Sequence, residues 1–76
     1  MDEIGRRIRV ARKGAGFSQE KLARRAEMSL NGMASIERGE IVDPHISTLS
    51  RIADALGVSV SELLEEPAHA GKALAR

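Results

Sequence analysis

The sequence predicts an all-α domain of five short helices, and three observations carry that expectation. Apolar residues recur at spacings of three and four rather than two, as in Ile4, Ile8, Ala11 and Ala15. Serines stand just ahead of several periodic stretches, at Ser18, Ser29 and Ser59, where a hydroxyl oxygen can cap the first turn of a helix. Glycines stand just behind them, at Gly14, Gly16, Gly39 and Gly57, where a chain leaves the right-handed helix most easily. Strand signals are missing: Phe17 is the only residue among Phe, Tyr and Trp, and no β-branched alternation is present. A chain of 76 residues holds one domain with a thin core, and without Cys it has neither a disulfide nor a thiolate metal site to reinforce it.

The first helix is expected from about Asp2 to Ala15, with Ile4, Ile8, Ala11 and Ala15 on its inner face. Ser18 caps the second, Gln19 to Ala26, and Phe17 before the cap can pack back on Leu22. Leu22, Ala23 and Ala26 form its inner face. After a turn at Glu27-Met28, Ser29 caps a third helix from Leu30 to Glu37, with Met33 and Ile36 inward and Gly39 closing it. Gly32 inside that helix costs about 1 kcal/mol relative to Ala, which suggests close approach of the backbone to something. Asp43-Pro44 marks a loop. The fourth helix follows from Ile46 to Leu56, with Leu49, Ile52, Ala53 and Leu56 inward and Gly57 as its stop. Ser59-Val60-Ser61-Glu62 reads as a capping box, so a fifth helix begins there, anchored by Leu63 and Leu64. Residues 1–66 are expected to form the domain, and residues 67–76 a frayed tail without a hydrophobic pattern.

The formal net charge is +1, but it is unevenly spread. Residues 1–17 carry Arg6, Arg7, Arg9, Arg12 and Lys13 against Asp2 and Glu3. Residues 45–66 carry Arg51 against Asp54, Glu62, Glu65 and Glu66. A basic end attracts phosphate, although a mixed solvated surface would look the same in composition. The acidic start Met1-Asp2-Glu3 does not read as a signal peptide, and no run approaches the ~20 apolar residues of a membrane span. A cytoplasmic protein with no membrane association is expected. His45 and His69 are too few and too far apart for a metal site, and no nucleophile–base set or glycine-rich phosphate loop is present. Catalysis, metal and cofactor are therefore not expected.

The most informative stretch is Ser18 to Gly39: two short helices, each with a capping Ser, joined by a turn of about three residues. Ala23 stands where they would cross, and a small side chain there permits close approach. This arrangement leaves Leu30, Asn31, Ala34 and Ser35 facing outward at the third helix.

The segments FSQEKLARRAEMSLNGMASIERGE and PHISTLSRIADALGVSVSELL, in this order and spacing, resemble the Cro/repressor helix-turn-helix family, also called the XRE family. The resemblance covers roughly residues 4–64. It implies a five-helix lambda-repressor-like domain whose third helix enters the major groove of double-stranded DNA while the second crosses the backbone. It also implies a homodimer reading a palindromic operator as a transcriptional regulator, most simply a repressor. Three positions depart from the family pattern. Glu27 replaces the usual turn Gly, His45 replaces a Ser or Thr cap, and Leu30, Gly32 and Ala34 replace polar or basic residues on the reading helix.

The resemblance assigns roles to individual residues. Asn31 is the foremost base reader, because an amide pairs bidentately with adenine N6 and N7. Leu30 is able to press on a thymine methyl, while Ala34 and Ser35 are further base-contact candidates on the same surface. Ser18, Gln19, Gly32, Arg38 and Arg12 are expected at phosphates, with Gln19 at the positive end of the second helix. Arg12 and Glu37 are expected to form a salt bridge between the first and third helices. Dimerisation is expected through Val58, Val60, Leu63 and Leu64. A different class of function stays open on the same fold: a protein-interaction module, or an antitoxin-type partner, with weak DNA binding and a contact surface that includes Leu30 and Met33.

Overall fold

The computed structural model describes residues 3–64 of the chain, and among these it contains five helices and no strand. They are α1 (Glu3–Gly14), α2 (Gln19–Arg25), α3 (Leu30–Glu37), α4 (Ile46–Leu56) and α5 (Val60–Leu64). The expected start at Asp2, Glu65-Glu66 and the segment 67–76 lie outside the described residues. The fold class and the order of elements are those expected from the sequence.

Three of the connections follow one pattern. α1 ends in Gly16 at φ 78°, α2 in Glu27 at φ 58°, and α4 in Gly57 at φ 75°. In each, the left-handed residue and the one after it donate backward to the helix just ended. Gly16 and Phe17 donate to Lys13 and Arg12, Glu27 and Met28 to Arg24 and Ala23, and Gly57 and Val58 to Asp54 and Ala53. This pair of bonds satisfies carbonyls that the helix end leaves without partners. The next residue is a Ser whose Oγ accepts from the backbone N–H three residues on: Lys21 to Ser18 at 3.0 Å, Gly32 to Ser29 at 3.0 Å, Glu62 to Ser59 at 3.2 Å. Phe17, Met28 and Val58, between stop and cap, all turn toward the core. The connection from α3 to α4 is different. It opens on Gly39 at φ 82°, but His45 at the start of α4 makes no side-chain capping bond.

The core consists of Ile8 from α1, Leu22, Ala23 and Ala26 from the α2 region, Met33 and Ile36 from α3, Leu49, Ile52 and Ala53 from α4, and Leu63 from α5. Each large member contributes about 1.5–3 kcal/mol by leaving water. α3 packs on both α1 and α2, α2 rests on α4, and α5 bridges α1 and α4. Two expected core positions turn outward. Ala15 lies one residue past the end of α1, where the chain is already turning, and is exposed. Leu64 is 43% exposed, because it adjoins Leu63 in the five-residue α5 and it is Leu63, 1% exposed, that turns into the core. Among the described residues, no helix is long and apolar enough to cross a membrane, and no three His, Cys, Asp or Glu residues stand together to hold a metal ion.

Candidate nucleic-acid interface

α3 is short, and its two sides differ. Met33, Ile36 and Glu37 are buried, and Glu37 is 2% exposed. A carboxylate so far from water requires partners, since an unpaired buried charge is severely penalised. Arg12 on α1 supplies a planar fork, with Nε 2.8 Å from Glu37 Oε2 and Nη2 3.1 Å from Oε1. Its third nitrogen, Nη1, donates to the Phe17 carbonyl at 3.0 Å. Gln19, the first residue of α2, donates from Nε2 to Glu37 Oε1 at 3.0 Å. One carboxylate thus joins α1, α2 and α3. Arg9 adds a bond from Nη2 to the Glu37 carbonyl oxygen at 3.1 Å, at the negative end of α3.

The α2–α3 pair is also held from below. Arg51 of α4 donates from Nε to the Ala26 carbonyl oxygen at 2.9 Å, beside the Glu27 turn. Ala23, 2% exposed, sits under the crossing as its small side chain requires. Phe17 lies half-buried beside α2, with Lys21 Nζ 5.5 Å and the Arg25 guanidinium carbon 5.0 Å from its ring centroid. That geometry suits cation–π attraction and keeps two cations close to the start of the pair.

Away from that buried side α3 presents Asn31 at the surface, with Gly32, Ala34 and Ser35 half-covered, while Leu30, close to Glu37 in azimuth, is exposed at the opening end of the helix. Leu30 is 47% exposed. A Cβ on Gly32 would stand 3.2 Å from Ser29 Oγ and 3.4 Å from Met28 Cε, so the missing side chain leaves room for the cap. Gly32 also lines a shallow groove with Met28, Ile36, Ile41, Pro44 and Thr48. Beyond the helix, Arg38 faces solvent and pairs with Glu40, its Nε 2.9 Å from Oε2. This hydrogen bond, with the attraction of the charge behind it, holds the Glu40 carboxyl below the usual carboxylate range. The Glu40 backbone N–H donates to the Ser35 carbonyl oxygen at 2.9 Å.

Several site residues therefore stand differently from their expected roles. Arg12 bonds within the chain through all three guanidinium nitrogens, which makes it a strut between α1 and α3. Gly32 gives its N–H to Ser29 Oγ. Leu63 is 1% exposed and so belongs to the core, not to a surface that a second copy could touch. Met33 is wholly buried and offers nothing to a protein partner. Val58 and Val60 are half-buried against the core, with Leu64 exposed beside them. The bonds from Gln19 to Glu37, from Arg9 to α3 and from Arg51 to α2 had no sequence signature, because each joins residues whose proximity exists only in the packed fold.

A helix-turn-helix domain family matches residues 3–65 of this chain. The chain belongs to that family. Among curated relatives, the immunity repressor protein of Bacillus phage phi105 is 40% identical over 63 residues, 83% of this chain and 43% of that protein. The HTH-type transcriptional regulator SinR of Bacillus subtilis (strain 168) is also 40% identical over 63 residues, 57% of its own length. The chain thus spans about half the length of these relatives. Neither relative is named as an enzyme. Among solved structures, SinR in complex with DNA superposes with a TM-score of 0.79 at 39% identity, over 82% of this chain and 98% of that one. In this helix-turn-helix, α2 and α3 are the paired helices, and Glu27 occupies the turn.

Proposed function

We propose that this chain is a sequence-specific DNA-binding transcriptional regulator of the repressor kind, non-enzymatic and cytoplasmic. α3 lies in the major groove, α2 crosses the backbone, and two copies read the halves of a palindrome. The observation that carries this reading is the likeness to the SinR domain in complex with DNA, which includes the helix pair whose outward residues are unburied here. Asn31 reads an adenine edge, with Leu30, Ala34 and Ser35 beside it. Ser18, Gln19 and Arg38 meet phosphate. The Gln19 amide carries two hydrogens and Glu37 takes one, so the other is available to a phosphate oxygen. Val58, Val60 and Leu64 form the contact between copies.

The test is selection from a random DNA pool, followed by titration of the enriched sequence against scrambled DNA at several salt concentrations. A palindrome is expected, bound well above scrambled DNA as salt rises. Asn31→Ala is expected to relax the preference at one position per half-site, a loss of about 1–3 kcal/mol there. No enriched motif, with all binding gone by ~200 mM salt, would leave phosphate attraction alone. A second reading, a protein-interaction module, draws support from Ile41, Val42 and Ile46, which are exposed together around the connection into α4. Binding to a partner that survives Gln19→Ala and Asn31→Ala, with no specific DNA binding by the parent chain, would favour it.

A further inference from the structure

The outward side of α3 has an unusual chemistry for a surface that reads bases. Its eight residues include no Lys or Arg, and its one charged residue, Glu37, is buried in an ion pair. The helix therefore has no cation to bridge guanine O6 and N7, the commonest specific contact to that base. Ser35 is half-covered on the same helix. Asn31 carries the only amide of the helix. What remains is apolar: Leu30, 47% exposed at the first helical position, the bare backbone of Gly32, and the methyl of Ala34. The backbone that carries Leu30 is held at both ends of the helix, by the Ser29 cap and by the ion pair of Glu37.

Resting on the DNA-binding reading above, we infer that Leu30 is a specificity-determining residue that recognises a pyrimidine 5-methyl group on the floor of the major groove. The ligand chemistry is that methyl, supplied either by thymine or by 5-methylcytosine. Both place the carbon at the same point of the groove, and an apolar side chain does not distinguish their exocyclic atoms. The half-site consequently places adenine opposite Asn31 and a 5-methylated pyrimidine opposite Leu30. Cytosine methylation at that position strengthens binding.

Base analogues isolate the methyl. In the selected operator, each thymine is replaced in turn by deoxyuridine, which removes the methyl and keeps every hydrogen-bonding atom. One position per half-site is expected to lose about fourfold in affinity, the transfer value of one buried methyl group. With cytosine at that position, 5-methylcytosine is expected to bind tighter than cytosine by a similar factor. Leu30→Ala is expected to abolish both differences, and Leu30→Met to restore them in part. Asn31→Ala is expected to weaken binding overall while leaving the methyl dependence in place. Thermal unfolding of each variant, with Leu30 half in solvent, checks that the fold is intact. If the unmodified operator is bound no better than scrambled DNA, the DNA-binding reading fails and this inference with it. If the operator is bound specifically but no deoxyuridine matters, or Leu30→Ala keeps the full methyl dependence, the inference alone is overturned.

Discussion

The turn between α2 and α3 and the turn between α4 and α5 are built from the same hydrogen bonds, yet one has Glu27 where the other has Gly57. Met28 N lies 2.9 Å from the Ala23 carbonyl, and Val58 N lies 3.0 Å from that of Ala53. Glu27 N lies 3.1 Å from the Arg24 carbonyl, and Gly57 N lies 3.2 Å from that of Asp54. Each turn then ends at a capping Ser. The backbone course is set by these bonds and caps, and the residue at the left-handed position conforms to it. Gly57 does so without steric cost, whereas Glu27 at φ 58° is strained. The strained version lies in the helix-turn-helix, and it alone carries the additional bond from Arg51 to the Ala26 carbonyl.

Exchanging the two residues tests that equivalence most directly. Gly57→Glu is expected to destabilise the domain by about 1–2 kcal/mol, the cost of a left-handed L-residue. It should appear as a lower urea midpoint with an unchanged slope. A loss well above that range would mean that Gly57 serves something beyond its backbone angle. The reverse exchange, Glu27→Gly, is expected to stabilise by about 0.5–1 kcal/mol, because relief of strain is partly offset by the greater freedom of Gly in the unfolded chain. No gain would show that contacts of the Glu27 side chain already compensate the angle.

The smallest effect concerns the connection that departs from the pattern. Between α3 and α4 no Ser follows Gly39, and the Arg38–Glu40 pair flanks the turn instead. Glu40 has its carboxyl held below its ordinary range by Arg38. Its contribution to stability is therefore present above the unfolded-state value and lost as pH falls through the lower folded one. Both side chains are more than half exposed, so the effect is expected to be slight and to fade in high salt. Unfolding midpoints of the parent and Arg38→Ala are expected to converge in acid and to differ slightly at neutral pH.

Much of this architecture could be read from the chain. Ser18, Ser29 and Ser59 with their following residues announced three helix starts, since capping is a local event between residues three apart. The helix-turn-helix resemblance carried Glu27 to the turn and paired Arg12 with Glu37. What the sequence withheld is where the core stops. Periodicity told which side of α1 faces inward, but Ala15 stands beyond the end of that helix, and in α5 it did not tell which of the adjacent Leu63 and Leu64 is buried. The long-range arginine bonds were hidden for a related reason. Arg9 and Arg51 look like solvated cations until another helix end is brought against them. Gln19 illustrates both cases at once. Its place at the head of α2 was legible, and its bond to a carboxylate eighteen positions away was not.

Glu37 and Leu30 are seven residues apart on α3, which at about 100° per residue puts them only about 20° apart in azimuth and about 10 Å apart along the axis. The fork of Arg12 is planar and grips both oxygens of Glu37, so it fixes the roll of the helix as well as its distance from α1. A roll set at the buried end is delivered nearly unchanged at the other, two turns away, where Leu30 emerges. The ion pair works in that sense as a sighting device: its geometry decides the bearing of a side chain it never touches.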